Sequence, residues 1–502
     1  MKPIVRILTL LLSLMIVGCM FAACDNGNGK DPDETSDKSN TSDETETAEE
    51  TDEPELTLSF PTENNNNTVI NILMSTSLDY EIATETSTDR VKAAMFERNC
   101  DVEEYLGVLF NIIPQDGSWA SRKAFNAFVQ NSAMSTKEYD LVQNHSTVSF
   151  VDNAAAGYYM DVNSIEIFDF TTPWWLANMN ESYAINGKMY GVVGDNSLSL
   201  YKQMTVIYFN DYLIEQYSLE NPYDLVRDKK WTMDKMMTMA VGVKEDVDGE
   251  YDMTKNMMGF VAVAAANRQW LTALDLPMTT RDSETGMLSV ANAPDEKLIG
   301  VFDYMYDKFE NNDTLYVDES SDGTYKEIFS GNNALFCLGY FVDVESFRDM
   351  EYDYGLVPMC LWNEEQKDYI SPIATSVGMW YVMSNTEKAE LVGKTMEALS
   401  FFGYRDVTPE YYEVALGLTY ARDENVQEML KLMRETATLS LDTVYTSAFS
   451  PAMTNILQMS DGFRNPPSGK ETSRHGSNIS TFWATNQSAW NTNARELFEK
   501  LS

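Results

Sequence analysis

Histidine is almost missing from this 502-residue chain: only His145 and His475 occur, and the sequence carries no paired-histidine zinc motif. No Gly-x-Ser-x-Gly elbow appears. Ser199-Leu200-Tyr201-Lys202 has a Ser-x-x-Lys spacing without its companion motifs, and Gly393-Lys394-Thr395 imitates the end of a phosphate loop whose first glycine is replaced by Lys388. The 78 acidic residues are too numerous for any two to be singled out as a glycosidase pair. These gaps predict a protein that is not an enzyme. Cysteine is also scarce. Beyond the first 24 residues only Cys100, Cys337 and Cys360 remain, an odd number without short spacing, which gives neither a zinc pattern nor a disulfide framework. No metal and no cofactor is expected. Positive charge is the third shortage: 36 Lys and Arg against 78 Asp and Glu leave a net charge of −42, which argues against a nucleic-acid partner. No internal repeat of fixed period is visible.

What is present begins at the start of the chain. Lys2 and Arg6 lead into an apolar run from Ile7 to Ala23, after which the sequence turns abruptly polar. Residues 1–23 therefore read as a secretory signal peptide, and the run is shorter than the ~20 residues of a spanning helix. Ile16-Val17-Gly18-Cys19 and Phe21-Ala22-Ala23-Cys24 both resemble the lipobox at which a cysteine is acylated. Cys24 is the preferred lipidation site, because the polar segment begins at its next residue; Cys19 is the alternative. Residues 24–67 form an acidic tether, with 13 acidic residues between Asp25 and Glu55 against Lys30 and Lys38. So little apolar surface cannot offset the entropy of ordering, and disorder is expected there.

The remainder is longer than one hydrophobic core usually serves, so two lobes are expected. Apolar strands at Val69–Met74, Val108–Ile113 and Tyr139–Val142 alternate with helical patterns. Such alternation predicts βαβ units and a largely parallel sheet, whose ligands bind at the loops beyond the strand carboxyl ends. Further strands are read at Met204–Asn210, Ala334–Leu338, Tyr354–Pro358 and Val377–Val382, and helices at Asp423–Thr436 and Phe482–Leu501. Thr232 is placed to cap a helix with Asp234 in its first turn. A crossing between lobes is placed near Asn196–Gln203.

Several short motifs follow one another over about 300 residues: Trp174-Trp175, Asn186-Gly187-Lys188-Met189-Tyr190, Gly194-Asp195, Tyr208-Phe209-Asn210-Asp211, Asn221-Pro222-Tyr223-Asp224-Leu225-Val226 with Trp231-Thr232, and Gly355-Leu356-Val357-Pro358. With the acylated start and the tether, this order resembles extracellular solute-binding proteins of family 1, the sugar-binding lipoproteins of bacterial ABC importers. The resemblance implies an α/β type II periplasmic-binding-protein fold, two lobes with a hinge and a ligand cleft between them. It implies lobe one at 68–200 and 374–445, lobe two at 204–370, a second crossing near Ser371–Val377, and C-terminal helices at 446–502 packing on lobe two. The implied partners are a carbohydrate, ABC transporter permease subunits and the membrane through the lipid anchor, with the protein monomeric on the extracellular face. Many relatives carry a calcium-like loop. Here Asp246–Asn256 is degenerate, with Tyr251 and Met257 where an EF-type loop needs glycine and a bidentate carboxylate, so a solvated turn is expected.

Aromatic residues make up 12% of the chain, and a sugar's C–H face stacks on such rings while its hydroxyls find polar partners. Position in the sequence selects six candidates. His145, with Gln143 and Asn144, follows a strand; Trp174 and Trp175 follow Pro173; Asp195 sits in the turn before the first crossing; Trp270 ends an apolar stretch beside Asn267 and Arg268; Tyr340 follows a strand and Gly339. Two rival readings stay open: a receptor for a solute other than sugar, and a surface glycan-binding or glycan-cleaving lipoprotein uncoupled from transport.

Overall fold

A computed structural model describes residues 56–243, 256–312, 314–318, 322–421, 423–445 and 479–502. Cys19, Cys24, the tether as far as residue 55, positions 246–255 of the acidic loop and residues 446–478 lie outside the described residues. No described helix is long and apolar enough to cross a membrane.

In chain order the strands are β1 (Thr68–Ser75), β2 (Val108–Gln115), β3 (Leu141–His145), β4 (Thr205–Asn210), β5 (Met258–Val263), β6 (Thr279–Arg281) and β7 (Leu288–Val290). They continue with β8 (Leu315–Asp318), β9 (Ala334–Tyr340), β10 (Tyr354–Val357), β11 (Ser371–Pro372), β12 (Gly378–Val382) and β13 (Ala437–Thr438). One sheet has the order β12-β3-β1-β2. Its first three strands in sequence are parallel, and β12 returns antiparallel with Gly378 opposite His145. The second has the order β10-β4-β9-β5-β8, in which β5 is parallel to both β8 and β9 while β4 runs antiparallel to β9 and β10.

Local sequence explains the elements that set these sheets. The helix Arg90–Leu106 starts on Asp89, whose side chain accepts from the Lys92 amide, and buries Val91, Met95, Val102 and Leu106 at helical spacing. It stops at Gly107, where φ is +62° and a Cβ would lie 2.7 Å from the Asn65 nitrogen, so only glycine fits. In the second sheet every residue of β4 and β5 is buried, as in strands covered on both faces. One cover is the helix Met233–Gly242, capped by Thr232, whose Met233, Met236, Met237 and Met239 are buried. It lies so close to β5 that a Cβ on Gly259 would meet the Ala240 carbonyl oxygen at 1.9 Å.

Three chain segments run side by side between the sheets. Met204 bridges Ile373, the Ala374 amide donates to Gln203 O at 2.9 Å, and β11 pairs in parallel with β13 through Ser371 and Ala437. Two helices make contacts across the sequence-based division. The helix Glu424–Glu435, expected within lobe one, packs against β10, and Arg227 beside Asn221–Val226 pairs with its Glu428 at 2.7 Å. The C-terminal helix Ile479–Leu501, expected on lobe two, packs on β7 and also on the helix Ser146–Ala155 that follows β3. Its buried stripe of Trp483, Trp490, Ala494, Leu497 and Leu501 covers both.

Candidate functional site

The carboxyl edges of the two sheets are where side chains of recognition type gather. On the first sheet β1 ends at Ser75, β2 at Gln115 and β3 at His145, and the residues preceding β12 lie at the same edge. His145 is held from both sides: its Nδ1 is 2.6 Å from Ser376 O and its Nε2 is 2.9 Å from Ser77 Oγ. A carbonyl only accepts, so Nδ1 carries the proton and Nε2 accepts from the Ser77 hydroxyl. Burial pushes the His145 pKa down, which keeps the ring neutral.

Beside it the loop after β2 is pinned close to β1. A Cβ on Gly117 would lie 2.3 Å from Ser75 Oγ and 2.6 Å from Asn144 Nδ2, so the backbone approaches as only glycine allows. Asp116 fixes the turn by accepting from the Ser118 amide at 3.0 Å and from Ser121 Oγ at 2.5 Å. The turn presents Trp119, which is 58% exposed, with the Arg122 guanidinium 4.2 Å from its ring centroid. One face of the indole is thereby covered by a cation.

On the second sheet Tyr340 ends β9, half-buried, opposite Thr205. Its amide donates to Asp343 Oδ2 at 2.9 Å and its carbonyl accepts from the Tyr208 hydroxyl at 2.9 Å, so its backbone is fixed. The two edges meet at the crossing segments. Ser376, whose carbonyl holds His145, donates its hydroxyl to Gln203 Oε1 at 2.6 Å, and Gln203 stands two residues before Thr205. Lys202 lies at the same crossing, paired with Glu345 at 2.8 Å and with its ammonium 5.2 Å from the Tyr80 ring and 5.0 Å from the Tyr411 ring.

The structure thus brings His145 and Tyr340 to the two carboxyl edges, and it places the other four candidates elsewhere. Trp174 and Trp175 are each 3% exposed, and their indole N–H groups donate to the two oxygens of Glu397 at 2.7 and 2.8 Å. They are packing residues that clasp a buried carboxylate. Burial raises Glu397 to about 7, against the hydrogen bonds from the indoles and from the Asp169 amide. Asp195 is an ion-pair residue: Arg434 Nη2 lies 2.5 Å from its Oδ2, and Thr408 and Tyr201 donate hydroxyls to its Oδ1. Trp270 is 1% exposed and opens the short helix Trp270–Ala273 within the core. Adjacent sequence position did not distinguish a ring facing a cleft from one facing the interior.

Comparison with solved structures identifies the architecture. A sugar transporter protein from Rhizobium etli in an open conformation superposes with a TM-score of 0.52 at 11% identity, over 86% of this chain and 99% of that one. An ABC substrate-binding protein from Listeria monocytogenes in complex with cycloalternan gives 0.51 at 11% identity, over 85% of this chain and 98% of that one. The chain has the two-lobe fold of the bacterial solute-binding proteins. A cyclo/maltodextrin-binding protein complexed with maltotetraose matches the same fold at a TM-score of 0.51 and 11% identity, over 86% and 97% of the two chains. No family model matches the sequence, and no curated protein matches it.

An exposed ring at the first sheet's carboxyl edge that the sequence reading passed over is Trp119. Its signal was legible: a Gly-Ser-Trp run directly after a strand, at the carboxyl end where ligands of such sheets bind. Among the described residues no cluster of His, Cys, Asp and Glu could hold a metal ion, and Cys337 and Cys360 are buried thiols.

Proposed function

We propose that this protein is a lipid-anchored receptor on the extracellular face that captures a carbohydrate between its lobes and hands it to the permease of an ABC transporter. The observation that carries the reading is the hinged pair of sheet edges. His145 and Trp119 stand on one and Tyr340 on the other; His145 is tied to the crossing segments through Ser376 and Gln203, and Tyr340 through its pairing with Thr205. A ligand touching both edges favours the closed arrangement by its extra contacts there, and a permease that recognises that arrangement reads the presence of ligand. Carbohydrate is favoured by the chemistry offered: an exposed indole face for a pyranose ring, with the Ser77 hydroxyl oxygen, oriented by its bond to His145, to accept from a sugar hydroxyl. The solved structures of this fold in complex with cycloalternan and with maltotetraose agree with that class.

Titration with mono- and oligosaccharides tests the reading. Trp119→Ala should lower affinity for the preferred saccharide by about 2 kcal/mol, near thirtyfold, with the melting midpoint unchanged because the indole is exposed. Unaltered affinity would remove Trp119 from the site; failure of every saccharide, with binding of a peptide or polyamine, would replace the ligand class.

Anchoring is tested on the mature protein. Mass spectrometry should find the lipid on Cys24, and Cys24→Ala should release the protein from membranes while Cys19→Ala leaves it attached. Lipid on Cys19 would reverse the assignment.

A further inference from the structure

The chain between β5 and β8 behaves differently from the rest of the second sheet's connections. It leaves the carboxyl edge at Val263, passes through Trp270–Ala273 and ends in the antiparallel hairpin β6–β7 before the helix Glu296–Asn311 returns it to the sheet. The hairpin is fastened to groups that belong with the first sheet. Arg281 Nη2 donates to Ser182 O at 2.8 Å. The buried Asp442 carboxylate accepts from the Met278 amide at 2.6 Å, the Thr279 amide at 3.1 Å and Thr279 Oγ1 at 2.5 Å. Asp442 in turn sits on the helix Leu441–Val444, which packs on Ser146–Ala155, while Tyr445 donates its hydroxyl to Tyr183 O.

The C-terminal helix completes the fastening. Asn491 binds the Val290 backbone twice, accepting from its amide and donating to its carbonyl, each at 2.8 Å, and Trp483 Nε1 donates to Ala291 O at 2.6 Å. At its far end Leu501 O accepts from the Tyr190 hydroxyl at 3.1 Å, and the helix also packs on Ser146–Ala155.

We propose that β6–β7 and the C-terminal helix form a strap that runs from the carboxyl edge of the second sheet to the first lobe and sets how far the lobes part in the absence of ligand. Its stem carries the buried Trp270, Leu271 and Leu274 and also borders open space. A cavity of about 250 Å³ lies between the stem and the first lobe, lined by Thr272, Pro277, Arg281, Thr438, Ser440 and Asp442. The strap rests on the two-lobe reading of function, but its test uses no ligand and so stands or falls separately.

The test is small-angle X-ray scattering of the full chain without ligand, comparing wild type with Arg281→Ala/Tyr190→Phe, which removes two of the attachments to the first lobe. The strap predicts a larger radius of gyration in the variant with cooperative melting retained; an unchanged radius with retained melting overturns it. Native-state hydrogen exchange of the wild type gives a second reading that needs no variant. The hairpin and helix amides should open in one unit with Ser146–Ala155. Opening together with β5 and β8 instead would show that the hairpin belongs to the second lobe and would overturn the strap.

Discussion

Replacing Arg434 with alanine should cost about 3–5 kcal/mol of unfolding free energy near pH 7, because it leaves a buried carboxylate without its cation. The Asp195 side chain is fully buried, the Arg434 side chain is 19% exposed, and the guanidinium also donates to Pro173 O at 2.6 Å. Gly403 presses on the same turn, where a Cβ would lie 2.0 Å from Asp195 O. The pH dependence has a definite sign. Burial already raises the Asp195 pKa, and the Arg434 charge, with hydrogen bonds from Thr408 and Arg434, opposes it. A folded-state pKa above the unfolded value means stability present at low pH and lost as pH rises through the folded value. Without Arg434 the folded pKa climbs further, so the deficit relative to wild type should grow from pH 5 to pH 8. Urea denaturation at the two pH values measures it, and a deficit below about 0.5 kcal/mol at both would show that the pair carries no such role.

Trp270→Ala should destabilise the protein by about 3–5 kcal/mol, the usual cost of emptying a core tryptophan site. The indole is 1% exposed, and neighbouring Leu271, Ala273 and Leu274 are buried with it. Chemical denaturation should show the loss, and the affinity of the refolded fraction for ligand should stay at the wild-type value. Normal stability with lost binding would be the reverse pattern and would return Trp270 to the cleft. The contrast with Trp119→Ala is the useful one: the same residue type is expected to act on stability at one position and on binding at the other.

Much of the fold was written in patterns that depend on local chemistry. The run Val69–Met74 became part of β1, Asp423 became the cap of Glu424–Glu435, and Thr232 capped its helix through the Lys235 amide at 3.2 Å. The strand β3 begins two residues later and ends three residues later than its apolar run suggested, because pairing with β1 and β12 carries it through Gln143 and Asn144 to His145. The strands β5 and β8 were harder to read. They are short apolar runs whose partners lie far away in sequence, and alternation is lost when both faces are buried.

The site divided along a similar line. His145 lies at the carboxyl edge, as expected of a polar residue at the end of a parallel strand. Trp174, Trp175 and Trp270 were misplaced because an indole satisfies a core and a sugar equally well in sequence. What separates them is whether the N–H already has a partner such as Glu397, and a carboxylate 222 residues away is invisible until the chain folds. Asp195 shows the same limit, since Arg434 lies 239 residues from it.

The central claim is that a carbohydrate closes the two lobes by touching both sheet edges. Small-angle X-ray scattering of the full chain, with and without a saturating concentration of the saccharide that most raises its melting midpoint, tests it most directly. The account predicts a smaller radius of gyration in the bound protein. A saccharide that binds without changing the radius, or a panel in which none raises the midpoint, would contradict it.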